Sequence, residues 1–93
     1  MPDFPVANNP EQSRFEAVVD GETAVLDYQL DGDVIAFTHT GVPPAIDNRG
    51  IGTALVRTAL DYAEEHGLRV RPICVFVESF IEKHPDYQHL VDG

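Results

Sequence analysis

The sequence predicts an α/β (α+β) domain with a mixed sheet, in which a three-stranded antiparallel meander is followed by a crossover helix and a parallel fourth strand. Two Asp-Gly pairs, at residues 20–21 and 31–32, each separate segments of alternating hydrophobicity, as hairpin turns do. A glycine-containing loop then opens a segment of helical periodicity, and a nearly continuous apolar run follows it. A helix between two strands requires a crossover, so the fourth strand should lie parallel to the third.

The length and the ends of the chain indicate a single small domain. Ninety-three residues, 43% of them hydrophobic, suffice for one sheet with one or two covering helices. Residues 1–12 carry three prolines and no apolar period, so we predict a flexible lead-in before one domain at residues 13–93. The chain begins with no basic and apolar signal segment, and no apolar run reaches membrane-spanning length, so we expect a cytoplasmic protein.

The charge balance restricts the partners. Sixteen acidic residues against six basic ones give a formal net charge of -10. Such a surface repels nucleic acid and anionic membranes and attracts cationic substrates such as amines, although most of these charges serve only as a solvated surface. Cys74 is the only cysteine, which excludes an intramolecular disulfide, and no Cys/His spacing predicts a metal site.

The strands of the meander differ in their predicted burial. The first two, at residues 14–19 and 23–30, alternate apolar with polar side chains, as half-buried strands do. The third, Asp33 to Thr40, has apolar residues on both faces. It should therefore be a central strand that is covered on both sides.

The second half of the chain begins with a proline-containing loop at residues 41–48. A helix is predicted from about Gly50 to His66, with Gly67 as its terminating residue. The fourth strand is predicted over Leu68 to Val77. Pro72 interrupts it and cannot donate a ladder hydrogen bond, so the third and fourth strands should splay and open a cleft beside the glycine loop.

The C-terminal residues predict two short helical pieces. Ser79-Phe80-Ile81-Glu82 has the spacing of a capping box that opens a short helix. Pro85 should end this helix, and residues 86–91 should add a final turn packed on the sheet.

The glycine loop has two interpretations on its own. Gly50 and Gly52 allow a sharp turn, and they also allow a ligand to approach the backbone N–H groups that open the following helix. The sequence lacks the Gly-Lys-Ser/Thr of a mononucleotide P-loop and the third glycine of a dinucleotide-binding fold. A phosphate cradle of another kind and a plain tight turn both stay open at this point.

Four short motifs occur together and in order along the chain. They are His39-Thr40-x-Val42-Pro43, Arg49-Gly50-Ile51-Gly52, Pro72-x-Cys74 and His84-Pro85-x-Tyr87. Together with the order of strands and helix, they resemble the GNAT superfamily of N-acetyltransferases, and more narrowly its minimal GNAT-like acetyltransferase-domain family. The resemblance covers Phe15 to Val91 and implies a fold that is little more than the acetyl-CoA-binding core.

This resemblance implies where acetyl-CoA or CoA would bind. The pyrophosphate would contact the loop backbone, and the pantetheine arm would lie between the third and fourth strands and bond to backbone near Thr38 and Thr40. The implied loop positions are Arg49, Gly50, Ile51, Gly52, Thr53 and Ala54. The loop departs from the general pattern at Asp47, where that pattern has Gln or Arg, and Arg49 is the compensating cation. Arg57, on roughly the same helix face, is a candidate contact for the outer phosphate of the cofactor; the alternative is that both arginines are solvated helix residues.

Three side chains are candidates for proton transfer or nucleophilic attack. Simple alternation places His39 on the face of Ile35 and Phe37, near the loop, as a base or as a hydrogen-bonded structural residue. Cys74 is a proton donor, an acetylated nucleophile or a small core residue. Tyr87 resembles the general acid of larger relatives, or it closes the core.

The functional hypothesis is transfer of acetyl from acetyl-CoA to an amine of a small molecule, peptide or protein. The alternative is a CoA-binding or protein-interaction module with little turnover, and a third is a structural domain in which Gly50 and Gly52 only form a turn. Neither the acceptor nor the oligomeric state is encoded in a recognisable pattern.

Overall fold

The predicted meander forms the centre of the structure, a computed structural model that describes residues 5–47 and 49–92. The strands of its sheet are β1 (Val6–Asn9), β2 (Arg14–Val19), β3 (Glu22–Asp31), β4 (Val34–Gly41) and β5 (Arg69–Pro72). The α-helices are α1 (Ile51–Glu65) and α2 (Val75–Glu82), and 3₁₀ helices span Pro44–Ile46 and Pro85–Leu90. The sheet order is β1-β2-β3-β4-β5, antiparallel except for the parallel pair β4-β5, which confirms the predicted mixed sheet and crossover.

The two hairpin turns use their glycines differently. Val19 pairs with Glu22, so Asp20 and Gly21 form the first turn, and both have positive φ (53° and 77°), as a type I′ turn requires. In the second hairpin, Asp31 pairs with Val34. The turn is therefore one residue later than predicted, with Gly32 at its first position.

The N-terminal segment corrects the prediction of a flexible lead-in over residues 1–12. Residues 6–9 form strand β1, which pairs with β2, and residues 1–4 lie outside the described part of the chain. The prolines at positions 5 and 10 flank the strand, so they remove no ladder hydrogen bond from it. The Tyr28 hydroxyl donates to the side-chain oxygen of Asn8 at 2.7 Å, which ties this edge strand to the core.

Helix α1 and the elements after it pack on one face of the sheet. The buried side chains there include, from the sheet, Phe15, Ala17, Ala24, Leu26, Tyr28, Ile35, Phe37 and Val70, and, from α1, Ile51, Leu55, Val56, Ala59, Leu60 and Ala63. Central β4 buries only alternate residues, and its Val34 and Ala36 on the other face are half-buried. The central position of this strand is thus confirmed, but the prediction that both its faces are covered is wrong.

The predicted fourth strand is much shorter than its apolar run. Helix α1 ends near Gly67, which has the expected positive φ of 67°, and β5 then pairs with β4 only over residues 69–72. After Pro72 the apolar residues belong to α2, because Val77, Phe80 and Ile81 are buried with helical spacing while Val75 and Phe76 are exposed. Pro72 therefore ends the strand; it does not interrupt it.

The C-terminal end also differs from the prediction in one respect. Ser79 lies inside α2, whose N-cap is Cys74, so the predicted capping box does not open this helix. The final turn is confirmed, because Tyr87 and Leu90 are buried within the second 3₁₀ helix. The chain then runs beside the edge strand β5, where the Asp92 amide donates to the Val70 carbonyl at 2.8 Å.

Candidate functional site

The site begins where β4 extends beyond β5. The last residue pair between these strands is Phe37 with Pro72, and the Cys74 amide then donates to the Phe37 carbonyl at 2.9 Å. Residues 38–41 of β4 continue without a partner in β5. The predicted gap between the two strands therefore exists, and it opens toward the start of α1 because β5 ends there.

Helix α1 starts with unsatisfied backbone donors. Its N-cap, Gly50, has left-handed backbone angles (φ 74°), and no side chain of the described residues forms a capping hydrogen bond. The Ala54 amide donates to the Gly50 carbonyl at 3.1 Å, so the helical ladder begins there. The amides of Ile51, Gly52 and Thr53 are left without an intrahelical acceptor at the positive end of the helix dipole.

A cavity of about 370 Å³ lies against this helix start. We call it the loop cavity; it is lined by Thr40, Val42, Asp47, Gly50, Gly52, Thr53 and Phe76. It joins the free end of β4 to the first turn of α1. The free amides can bind a diphosphate, and the strand end beside them can pair with an extended arm attached to that diphosphate.

Gly52 is a glycine for a reason of space. A Cβ atom at this position would lie 3.0 Å from the Phe76 ring and 3.7 Å from a Val42 methyl carbon. Its φ is not in the left-handed region, unlike that of Gly50, so backbone strain does not explain it. Because residue 52 has no side chain, a ligand in the loop cavity can approach the backbone of the first turn of α1 closely.

The Cys74 thiol faces the free end of β4. Its sulfur lies 3.2 Å from the Thr40 hydroxyl oxygen, and the residue is half-buried. Burial alone would raise the pKa of this thiol, but the Thr40 hydroxyl and contacts with the backbone N–H groups of Val77 and Phe76 outweigh it and lower the pKa. Cys74 therefore sits at the start of a helix in an environment that favours the thiolate.

The lowered pKa predicts the pH dependence of alkylation. Only the thiolate reacts, so the rate of Cys74 alkylation by iodoacetamide should reach half its maximum at a pH below 9, which is the ordinary pKa of a cysteine thiol. Thr40→Val should move this midpoint upward, and Thr23→Val on β3 should not. Because the folded-state pKa is lowered, the same contacts add stability above the unfolded pKa, and that stability is lost as the pH falls through the folded value. A midpoint at or above 9 in the wild type would contradict the activated thiol.

His39 does not share the face of Ile35 and Phe37, contrary to the prediction. A β-bulge shifts the register between Asp27 and Tyr28, so Tyr28 pairs with Phe37 while Asp27 pairs with His39. The extra residue reverses the alternation of β4. His39 is consequently exposed on the open face of the sheet, whereas Thr40, opposite the buried Leu26, takes the core side.

Tyr87 also lies away from the gap. Its hydroxyl donates to the Asp61 carboxylate at 2.7 Å. Asp61 is nine residues beyond Gly52 in α1, or roughly 14 Å along the helix axis at the usual rise per residue. Burial raises the pKa of Tyr87, and the Asp61 hydrogen bond and charge raise it further against the opposing influence of Arg57.

These contacts give Tyr87 a structural role that a mutation can test. Tyr87→Phe should lower the free energy of unfolding by about 1 kcal/mol, because it removes a half-buried, charge-assisted hydrogen bond. The acetyl transfer that the resemblance implies should stay within about twofold of wild type, because the hydroxyl does not touch the gap. A large fall in rate at unchanged stability would restore Tyr87 as the general acid.

The remaining predicted cofactor residues divide into those that face the site and those engaged elsewhere. The Arg49 guanidinium pairs with Asp20 at 2.5 Å, and the Ala54 amide is used within the helix. The Thr38 hydroxyl makes a long 3.5 Å contact with the Asp27 carbonyl, across the bulge. Asp47 lines the loop cavity and does not cap the helix, so it brings a negative charge to the cavity wall.

Phe76 is the site residue that the sequence prediction missed. It was assigned to a strand, but it projects from α2 over Gly52. The spacing of Phe76, Phe80 and His84 at intervals of four residues was the available signal, because such residues share one face of a helix. That spacing competes with the continuous apolar run, which equally suits a buried strand.

The whole arrangement combines an anion cradle, an unpaired strand end and an activated thiol. The cradle and strand end suit an extended donor with a diphosphate and a peptide-like arm. The thiol lies between Thr40 and the first turn of α2.

Comparison with known proteins identifies a family and several relatives of this chain. A family model described as GCN5-related N-acetyl-transferase matches residues 14–90. Protein NATD1 from Bos taurus is 36% identical over 70 residues, which cover 74% of this chain and 62% of the bovine protein. Protein NATD1 from Mus musculus is 30% identical over 88 residues, or 91% of this chain and 80% of its own length. The chain thus spans less than two thirds of the bovine relative.

Solved structures agree on the fold. The solution structure of a GCN5-like protein from Staphylococcus aureus superimposes with a TM-score of 0.74 at 25% sequence identity, covering 100% of this chain and 92% of that one. Neither α-helix in residues 5–47 and 49–92 combines the length and the apolar character that a membrane crossing requires.

Proposed function

The chain belongs to the GCN5-related N-acetyltransferase family, and on that premise we propose that it binds acetyl-CoA and transfers the acetyl group to an amine. The observation that carries this proposal is the row of free amides at Ile51, Gly52 and Thr53 beside a low cavity wall. These groups suit the diphosphate of CoA. The free end of β4 suits the amide-containing pantetheine arm, as an added strand would.

Cys74 is the residue we assign to the chemistry. In the proposed first step its thiolate attacks the thioester carbonyl of the substrate acetyl-CoA. A sulfur–carbon bond forms to Cys74, the bond to the CoA sulfur breaks, and the departing CoA thiolate takes up a proton from water. In the second step a neutral amine attacks the acetyl group on Cys74, the amide leaves, and the amine proton passes to the released thiolate.

The surroundings of the thiol favour this assignment. The Thr40 hydroxyl and the helix-start amides stabilise negative charge, first on the cysteine sulfur and then on the carbonyl oxygen during attack. The acidic surface of the chain, with a net charge of -10, would concentrate a cationic acceptor around the site. We infer that the protein is cytoplasmic, because such a reaction consumes acetyl-CoA from inside the cell.

A second candidate function is a CoA-binding module with little turnover. It is favoured by the positions of His39 and Tyr87, since neither of these predicted acid-base residues reaches Cys74. The two functions differ in the fate of the acetyl group. A module would hold acetyl-CoA unchanged, whereas a transferase would acetylate Cys74 and pass the group on.

Calorimetric titration tests the binding that both candidates share. Acetyl-CoA and CoA should bind saturably at moderate salt, and ATP, which lacks the pantetheine arm, should not. Mass spectrometry of the intact protein after brief exposure to acetyl-CoA should then reveal one added acetyl group at Cys74, which an amine such as a lysine-rich peptide removes. Absence of CoA binding would refute both candidates.

A further inference from the structure

Exposed apolar side chains are concentrated around the Cys74 thiol. Five large apolar side chains are exposed among the residues that the structure describes, and three of them are Ile73, Val75 and Phe76. Ile73 is 60% exposed and Val75 is 72% exposed, and neither packs against the hydrophobic core. We call Ile73 and Val75 the apolar flanks of the thiol. Exposed apolar residues that lie together at a functional site indicate a contact surface.

The apolar flanks border the thiol without lining the cavity assigned to the cofactor. They are the chain neighbours of Cys74, so their Cα atoms lie about 3.8 Å from its own. The Cys74 sulfur is fixed against β4 by the Thr40 hydroxyl at 3.2 Å. The loop cavity is lined by Phe76 but by neither apolar flank. A ligand confined to the loop cavity therefore leaves Ile73 and Val75 exposed beside the reacting sulfur.

The charges near the apolar flanks suit an ammonium group. Glu78 is exposed and lies three residues after Val75, which places the two side chains on the same side of α2. Arg71, two residues before Ile73, pairs with Asp92 at 2.7 Å, so its positive charge is offset. The net charge of -10 adds long-range attraction for a cation. Apolar contact with negative charge beside it fits an amine that carries an apolar group.

A second copy of the chain is the other occupant that exposed apolar residues suggest, and both area and charge disfavour it. A stable protein interface buries about 800 Å² on each partner, far more than two side chains provide. Two chains that each carry a net charge of -10 also repel one another. The apolar flanks are therefore better suited to a small acceptor than to another copy of this chain.

We propose that the acceptor is a primary amine attached to an alkyl or aryl group, and that this group contacts Ile73 and Val75 while the nitrogen reaches the acetyl group. The inference rests on the proposed function, because it names the acceptor class for that transfer. The amine nitrogen bonds to the acetyl carbon, the bond from that carbon to the Cys74 sulfur breaks, and the amine proton passes to the released thiolate. Ile73 and Val75 determine specificity, since they contact the acceptor and take no part in the chemistry.

A series of n-alkylamines from ethylamine to hexylamine tests the acceptor class at saturating acetyl-CoA. These amines have nearly the same basicity, so the neutral fraction is constant along the series and only the apolar length changes. Full burial of one methylene group corresponds to about fourfold in a binding constant. The apolar flanks cover one side of the acceptor, so we expect kcat/KM for acetyl transfer to rise about twofold with each added methylene.

A double variant of the apolar flanks shows whether these two residues cause the length dependence. Ile73→Ser with Val75→Ser should remove most of the rise along the series and leave transfer to ethylamine within about twofold of wild type. Val18→Ser with Leu30→Ser is the matched control, because these side chains on β2 and β3 are 58% and 54% exposed. The control should keep the full length dependence. Thermal unfolding of both double variants checks that each is folded.

The outcomes separate this inference from the proposed function. Equal kcat/KM for all the amines, or an acetylated Cys74 that none of them deacylates, would overturn the acceptor class while acetyl-CoA binding stands. A length dependence that survives serine at positions 73 and 75, or that the control loses equally, would overturn the role of the apolar flanks. So would a dimer in light scattering that the Ile73 and Val75 variant dissociates. If acetyl-CoA does not bind and no amine is acetylated, the proposed function and the inference fail together.

Discussion

Replacement of Cys74 by serine should abolish acetyl transfer while leaving the fold at least as stable. Cys74 is the N-cap of α2, a position at which serine is among the preferred residues, so Cys74→Ser should keep or raise the free energy of unfolding. Serine also preserves the size of the side chain and a hydrogen bond to the Thr40 hydroxyl. What it lacks is a readily ionised nucleophile, because no base among the described residues contacts position 74.

We expect the transfer rate of Cys74→Ser to fall by about a hundredfold or more, with CoA affinity within about threefold of wild type. Steady-state kinetics, calorimetry and thermal unfolding of the same preparation measure the three quantities. Cys74→Ala serves as the matched control, since it also lacks the nucleophile but gives up the N-cap. Both variants should lose the acetylated species in the intact mass. A serine variant that transfers acetyl at the wild-type rate would show that the amine attacks the bound thioester directly.

The sequence was a good guide to the parts of this fold that local chemistry determines. Asp20-Gly21 marks a turn because both residues can adopt positive φ, and the helical stripe of α1 requires its buried face. The apolar run after Pro72 was ambiguous, since a short run suits a buried strand or a helix equally. The burial of Val77, Phe80 and Ile81 fits a helix. Burial depends on tertiary packing, however, so the local sequence could not reveal it.

The site was predictable to a similar degree. Gly50 and Gly52 located the loop at the start of the helix, but on their own they suited a tight turn as well as a phosphate cradle. The position of His39 was not predictable, since the bulge that turns it outward is set by pairing between β3 and β4. Likewise, the contact of Cys74 with Thr40 depends on the point at which β5 ends. Single-strand alternation carries no information about either event.

A side chain at Gly52 should block CoA binding without unfolding the protein. The residue has helical backbone angles in the first turn of α1, so alanine there gains helix propensity of about 1 kcal/mol. Its Cβ atom would nevertheless lie 3.0 Å from the Phe76 ring and stand in the wall of the loop cavity. We expect CoA affinity to fall about tenfold in Gly52→Ala and about a hundredfold in Gly52→Val, because the ligand can no longer approach the amides closely.

Two explanations of that loss have to be separated, because the new Cβ also displaces Phe76. The double variant Gly52→Ala with Phe76→Ala removes the clash but keeps the Cβ, and Phe76→Ala alone supplies the reference. If close approach to the backbone is what CoA requires, affinity stays about tenfold below that of Phe76→Ala alone. Recovery to the level of that reference would mean that Gly52 serves only to seat the Phe76 ring. Unchanged affinity in Gly52→Val, with unfolding still cooperative, would remove the amide cradle from the mechanism and leave Gly52 as a packing residue.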